Sequence, residues 1–504
     1  MTPRNVVVVL LDSLNRHLLG SYGSREFETP ELDRFAARAT RFTRHHTGSL
    51  PCIPARHDIL CGALDFLWRP WGSIEVWEDS IVHQLRRSGV TTMLLTDHPH
   101  LFEVGGENYH TDFDAWGYER GHESDPWRTR ADPSWVGAPA LPAAAGMIPH
   151  HYDVSRTWFR DEADFPGPRT MAAAARWLEE EAPTDAPFFL FVDEFDPHEP
   201  FDTPEPWASR YVDAGDEPRL IWPPYAVDAL ANGILDAASA RQIRGNYGSK
   251  LSMIDHWFGR IVAALDRADR WRDTAVILCT DHGHYLGEKD IWGKPGVPVY
   301  EPLGHIPLLI SWPGHDPQVV DALTTSVDLF ATLTDVFAVD VPQRTHGHSL
   351  VPLLEGRADS VREFALTGVW GREVHVTDGH RKYARAPVAT NQPLFLWSNR
   401  WSTMPVPAFP ELRLPRPDRR ARLAYMPGSD VPVIRQPFAE GDPMPLWAAM
   451  ARSREHLLFD LDDDPAEAHD LAGSPAEADA VELLRVALGS VDAPDEQYQR
   501  LGIS

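Results

Sequence analysis

The chain has 504 residues, 43% hydrophobic and 24% charged, enough apolar material for a sizeable core in one large α/β domain with an appendage. Its 74 acidic against 47 basic side chains leave a formal charge of -27. That argues against nucleic acid or an anionic membrane as a partner, and an anionic substrate would need positive charge gathered locally, which a bound cation supplies.

The first residues run directly into an apolar stretch at 6–11 that Asp12 interrupts, with no small-residue cleavage site behind it. This predicts a buried core strand rather than a signal segment, and with it a cytoplasmic protein. No segment is long and apolar enough to span a bilayer. Thr29-Pro30 starts a helix through 31–39. Cys52-Ile53-Pro54-Ala55-Arg56 then opens a short helix that ends at Gly62, placing a thiol and a guanidinium near a helix N-terminus, an electropositive niche suited to an anion. A helix at 80–88, stopped by Gly89, precedes a strand at 91–95. Residues 102–125 read as a loop whose Trp116, Tyr118, His122 and Glu123 could line a sugar or aryl pocket. The Pro/Ala-rich 131–149 reads as a surface loop. A helix at 169–181 leads to a strand at 188–192, and a helix at 254–269 to strands at 275–279 and 306–310. A helix at 328–337 follows.

Continuous rather than alternating apolar strands favour parallel strands covered on both faces. The fold class is therefore α/β, a large mixed, mostly parallel sheet sandwiched by helices, with a catalytic domain over residues 1–365. The remainder, 366–504, reads as a smaller α+β subdomain. It has an antiparallel hairpin at 372–385, a Pro/Arg-rich insertion or homo-oligomer arm at 386–445, and a closing helix at 476–488. There is no internal repeat. Three cysteines (Cys52, Cys61, Cys279) are too few for a disulfide framework, and a reducing compartment argues against a Cys52–Cys61 bridge.

In doubly wound sheets, ligands bind beyond the carboxyl ends of the strands. Three strands end in chemistry: Asp12 after the first, Asp193-Glu194-Phe195-Asp196-Pro197-His198 after the 188–192 strand, and Thr280-Asp281-His282-Gly283-His284 after the 275–279 strand. Carboxylates with an imidazole on one edge make a credible divalent-metal site. The sequence offers no obvious second set of metal ligands, which argues against a two-zinc phosphatase.

Ordered motifs along nearly the whole chain resemble a type I sulfatase of the alkaline phosphatase superfamily. They are Leu11-Asp12 with Leu19-Gly20-Ser21-Tyr22-Gly23, the Cys52–Arg56 signature, and Pro197-His198-Glu199-Pro200. Then come Thr280-Asp281-His282-Gly283, Trp292-Gly293-Lys294, His305-Ile306-Pro307-Leu308, His348-Ser349-Leu350 and Leu458-Phe459-Asp460. The resemblance implies an alkaline phosphatase-like fold and a metal-dependent hydrolase of small-molecule sulfate esters. It implies that Cys52 is oxidised by a maturation enzyme to formylglycine, whose hydrate is the nucleophile. Asp12, Asp281, His282 and the modified Cys52 become metal ligands. Arg56 would hold the hydrate and grip the sulfate bidentately, and Lys294 and His198 would steady the leaving group. Lys289 is a weaker cation candidate, more in keeping with a solvated surface residue. The family's second aspartate is replaced by Ser13, a reduced set similar to that of phosphonate monoester hydrolases, and Ca2+ or Mn2+ would suit it. The family's Gly-Lys-Trp-His is replaced by Thr96-Asp97-His98-Pro99-His100. The lysine is lost, and His98 or His100 is left as the replacement base. A phosphonate monoester hydrolase or phosphodiesterase with the same nucleophile is the alternative reading.

Overall fold

A computed structural model describes residues 2–135, 150–213, 219–341, 344–399, 421–442, 444–450 and 452–504. The predicted surface loop from residue 136 to 149, and residues 400–420 of the predicted insertion, lie outside the described residues.

Strand β1 (Asn5–Leu11) is buried at every position. Val6, Val8 and Leu10 face one core layer, and Val7, Val9 and Leu11 the other, so a two-sided apolar environment selects an unbroken apolar run. β1 stands in an eight-stranded sheet with β2 (Thr40–His46), β3 (Thr91–Thr96), β4 (Ala115–Tyr118), β5 (Phe188–Glu194), β6 (Thr274–Cys279), β7 (Leu308–Ser311) and β8 (Val319–Thr325). Their order is β8-β2-β7-β6-β1-β5-β3-β4. One layer is built on α1 (Pro30–Ala36), α4 (Pro166–Glu180) and α5 (Ala237–Arg267), through side chains such as Phe35, Trp177 and Phe258. The opposite layer holds α2 (Cys52–Cys61), α3 (Ile81–Arg87) and α6 (Val327–Phe337), through Ile59, Leu85 and Phe330. The helix starts follow local chemistry: Ser80 accepts from His83 N at α3, and Asp236 from Ser239 N at α5. No helix among the described residues is long and apolar enough to cross a membrane.

Three expectations change. The 306–310 strand was expected parallel, but β7 runs antiparallel to both β6 and β2. The chain after β6 stays at the carboxyl edge, where Ile306 N donates to His45 O, and so re-enters the sheet from the end at which β6 left it. β2 and β8 were missed because polar side chains interrupt them, β2 reading TRFTRHH, and β4 because it is a four-residue edge strand, AWGY, that is exposed to half-buried. The helix expected at 254–269 begins at Ala237, since Gly245 and Gly248 weaken the local helix signal. Gly248 is required by packing: a Cβ there would lie 2.2 Å from the Phe27 ring.

Beyond this sheet, the C-terminal region holds a four-stranded antiparallel sheet and a three-stranded one. The first is formed by β9 (Ala365–Gly368), β10 (Val374–Thr377), β11 (Arg381–Arg385) and β15 (Leu457–Asp460). The second is formed by β12 (Leu394–Ser398), β13 (Arg422–Tyr425) and β14 (Pro432–Phe438), inside the segment expected to be an insertion. The closing helix spans Glu477–Ser490 and packs Leu484 and Leu488 against Val376 and Tyr383. No disulfide joins the three cysteines.

Gly248→Ala should cost about 1–3 kcal/mol through overpacking against Phe27. The expected readout is a lower urea midpoint with an unchanged slope.

Candidate active site

Four neighbouring strands, β6, β1, β5 and β3, end at one edge and deliver Asp281, Asp12, Asp193 and Asp97 there. Asp12 N continues the ladder to Glu194 O, and Ser13 then turns the chain with φ of 61°. That left-handed turn aims Ser13 N at Asp281 Oδ1, 3.1 Å away. Gly283 lets the next loop pass close: a Cβ there would sit 2.0 Å from Pro302 O. Helix α2 brings Cys52 and Arg56 to the same edge, one turn apart on one face.

Arg56 is fully buried, and all five of its N–H groups are engaged. Nε donates to Asp193 Oδ2 at 2.8 Å and Nη2 to Asp193 Oδ1 at 2.6 Å, a fork-to-fork pair. Nη2 also donates to Asp12 Oδ2 at 3.0 Å, and Nη1 to Asp281 Oδ2 at 2.9 Å and to Cys52 O at 3.1 Å. Burial opposes the charge, but Asp193, Asp12 and Asp281 raise the guanidinium pKa well above its usual value. This corrects the sequence expectation that Arg56 grips sulfate bidentately. Its bidentate partner is Asp193, and no donor is left over for an anion.

Asp12, Asp281, His282 and Cys52 place one potential ligand atom each within 4.8 Å of one another, all buried. His282 Nδ1–H donates to Gly283 O at 2.8 Å, which leaves the Nε2 lone pair directed at the cluster, 3.3 Å from Cys52 Sγ. Burial pushes this imidazole down to about 4, so it is neutral, as a ligand must be. Burial and the charge of Asp281 push Asp12 well above the ordinary carboxylate range. Burial also raises Asp281, but His282 and Arg56 pull it further down. With all three carboxylates ionised, as a bound cation would make them, one guanidinium leaves a surplus of two negative charges, and the donor set fits a single divalent cation. The niche around Cys52 is therefore not the electropositive one the sequence suggested. Burial, then Asp12, raises the thiol well above 9.0, so it stays protonated.

Across the cluster, Lys294 Nζ lies 2.6 Å from His198 Nε2 and 3.3 Å from Ser13 Oγ. His198 Nδ1–H donates to Glu199 O, and burial pushes the ring down to about 3; it is a neutral acceptor beside a charged lysine. Glu199, which the sequence reading quoted but gave no role, accepts from Tyr225 Oη and lies 3.1 Å from His284 Nε2 and 3.9 Å from Lys294 Nζ. Tyr225 sits in a loop with no motif to announce it.

The structure separates His98 from His100. Both His98 ring nitrogens are buried without a hydrogen-bond partner, with Nε2 3.7 Å from Asp12 Oδ2. His100 is held between Glu103 at 2.8 Å and Glu123 at 3.3 Å. Burial opposes its charge, but Glu123 and Glu103 raise it to about 10. Of the four pocket candidates, Glu123 is thus tied to His100, and His122 is 2.7 Å from Asp196. Trp116 is exposed at the sheet edge against Phe102. Lys289 is exposed, donates to Glu467 O at 2.6 Å and stands outside the cluster. Away from this edge, His57 and Cys61 of α2 meet Glu78 from the segment before α3, and none of the three joins the Asp12, Asp281, His282 and Cys52 cluster.

Comparison with known proteins gives a match to the family model described as Sulfatase over residues 4–339. A choline-sulfatase of Rhizobium meliloti (strain 1021) is 27% identical over 411 residues, 75% of this chain and 77% of that protein. The multifunctional alkaline phosphatase superfamily protein PehA of Trinickia caryophylli is 26% identical over 431 residues, 72% of this chain and 79% of that one. Among solved structures, the phosphonate monoester hydrolase SpPMH from Silicibacter pomeroyi superposes with a TM-score of 0.66 at 19% identity, covering 98% of this chain and 96% of that one.

Arg56→Lys replaces five fixed donors with three and leaves buried carboxylates unpaired, so a loss of about 3–5 kcal/mol is expected in chemical denaturation. His100 makes a separate pH prediction. Its folded pKa of about 10 exceeds its unfolded value near 6.5, so its stabilisation is complete below pH 6.5 and is lost as pH rises through about 10. Thermal denaturation from pH 6 to 10 should show that decline, and His100→Gln should flatten it.

Proposed function

The chain belongs to the sulfatase family and is a sulfuric ester hydrolase, and from that premise we propose that it cleaves small-molecule sulfate esters with a nucleophile made from Cys52. The observation carrying this is the convergence of position 52 with Asp12, Asp281 and His282. A thiol kept protonated by burial is a poor nucleophile, which supports the reading that it is not the reacting group itself. In its place stands formylglycine, introduced by a maturation enzyme, whose hydrate offers one oxygen for attack and a second whose deprotonation releases the sulfate. A divalent ion, Ca2+ or Mn2+, held by Asp12, Asp281, His282 and the modified residue would acidify the attacking hydroxyl and neutralise the ester oxygens.

The side chains then divide the labour. Arg56 is a positioning residue: it fixes the carbonyl of residue 52 and the two aspartates together. Lys294, charged and 2.6 Å from a neutral His198, is the proton donor for the departing alcohol, and His198 Nε2 accepts a different N–H of the ammonium and so orients it. Glu199 holds Lys294 in its charged form. His98, neutral and unpaired beside Asp12, is the base that takes the proton from the second hydroxyl, whereas His100, already protonated, walls the site with Glu123. Catalysis belongs to residues 1–365, with 366–504 as a C-terminal subdomain.

The phosphonate monoester or phosphodiester alternative keeps one supporting observation. With Arg56 saturated and Lys250 committed to Asp196 and Pro200 O, Lys294 is the cation left at the site among the described residues. A single ammonium suits any monoanion.

Cys52→Ala should lower turnover of nitrophenyl sulfate by more than about 10³-fold with the fold intact by circular dichroism. On the wild-type protein, co-expressed with a maturation enzyme, kcat/KM should favour nitrophenyl sulfate over phenylphosphonate and a phosphodiester; a large preference for phosphorus would assign the alternative. Lys294→Ala should cost about 10²–10⁴-fold on alkyl sulfates and less on nitrophenyl sulfate, whose leaving group needs no proton.

A further inference from the structure

The face of α2 turned away from Cys52 carries a second polar knot. At 3.6 residues per turn, His57 and Cys61 lie about 140° and about 180° around the helix from Cys52, and one turn from each other. Glu78 approaches them from the segment before α3, and the three place one donor atom each within 4.8 Å of one another. His57 Nε2 is 2.9 Å from Glu78 Oε1, and the other Glu78 oxygen accepts Glu75 N–H at 2.9 Å. His57 Nδ1 has no hydrogen-bond partner; it lies 3.8 Å from Asp65 Oδ2, which has none either. The side chains of His57, Glu78 and Asp65 are 1%, 2% and 7% exposed, so these are orphaned polar atoms held away from water.

The charges repeat the composition of the first site. Arg69 meets Asp65 at 2.8 Å, Glu75 at 2.9 Å and Glu78 at 3.7 Å, so three carboxylates again surround one guanidinium. With a neutral imidazole and a Cys61 thiolate the surplus is three negative charges, of which a divalent cation offsets two. The donors differ from those of the first site in being nitrogen, sulfur and oxygen, a combination that suits zinc better than a hard cation.

We propose that His57, Cys61 and Glu78 form a structural zinc site, with Asp65 orienting the imidazole through Nδ1. Binding displaces two protons to solvent, one from the His57–Glu78 ion pair and one from the Cys61 thiol, and changes no oxidation state. Burial pushes that thiol up to about 11, so without a cation it remains a thiol. The site staples the helix that presents position 52 to the 65–78 segment. It stands independently of the hydrolytic reading, because none of its ligands lies on the Cys52 face.

The test uses full-length Cys52→Ala protein, in which no thiol remains in the first cluster. Expressed with zinc and dialysed against EDTA, it should retain about one zinc equivalent. Expressed with cobalt, it should show thiolate-to-cobalt charge-transfer absorption in the near ultraviolet. Adding Cys61→Ser should abolish that band, and adding Glu78→Gln, which keeps the thiol, should lower zinc retention at unchanged circular dichroism. Absence of retained zinc in the Cys52→Ala protein, zinc retention unaltered by Glu78→Gln, or a cobalt spectrum indifferent to Cys61→Ser would overturn the proposal and leave the cluster an ion pair only.

Discussion

One buried guanidinium decides how this site is put together. Arg56 carries five N–H groups in a fixed plane, and the fold gives each an acceptor: two oxygens of Asp193, one each of Asp12 and Asp281, and the backbone of Cys52. A lysine has neither the number nor the geometry to replace it. Because the acceptors come from the ends of three neighbouring strands and the start of one helix, the same ion ties strand ends, position 52 and the clustered carboxylates into one rigid object. Burying so many charges is expensive, and it is tolerable only where every partner is present.

The arrangement also reconciles a chain of formal charge -27 with an anionic substrate. Arg56 spends its donors on a carboxylate cluster, whose remaining charge a divalent ion would fit. Lys294 provides the ammonium at the site. Helix α2 takes part on two faces, with Cys52 and Arg56 on one and His57 and Cys61 on the other. Its side chains are buried all round, so no amphipathic stripe marks it, and its polar residues carry the meaning.

Much of this was legible in the chain itself. Unbroken apolar runs at β1, β5 and β6 marked two-sided burial, and the carboxylates after them marked the ligand edge. What stayed hidden depends on partners distant in sequence. The direction of β7 follows from where the chain re-enters the sheet, not from the composition of the strand. The roles of His98 and His100 look interchangeable in sequence, and only Glu103 and Glu123 separate them. The resemblance matched Arg56 to sulfate, and its bidentate partner, Asp193, lies 137 residues away, beyond any local pattern. Glu78 and Tyr225 carry no motif, so their clusters existed only once the chain had folded.

Asp193 offers the most direct test of the central role given to Arg56, since it touches the guanidinium without being a metal ligand. Calorimetric titration of Mn2+ or Ca2+ into Asp193→Asn should show binding weakened by about 10-fold or more, because an Arg56 released from its fork shifts its charge onto Asp12 and Asp281. Cation affinity equal to that of the wild-type protein, in a variant shown to be folded, would contradict the account.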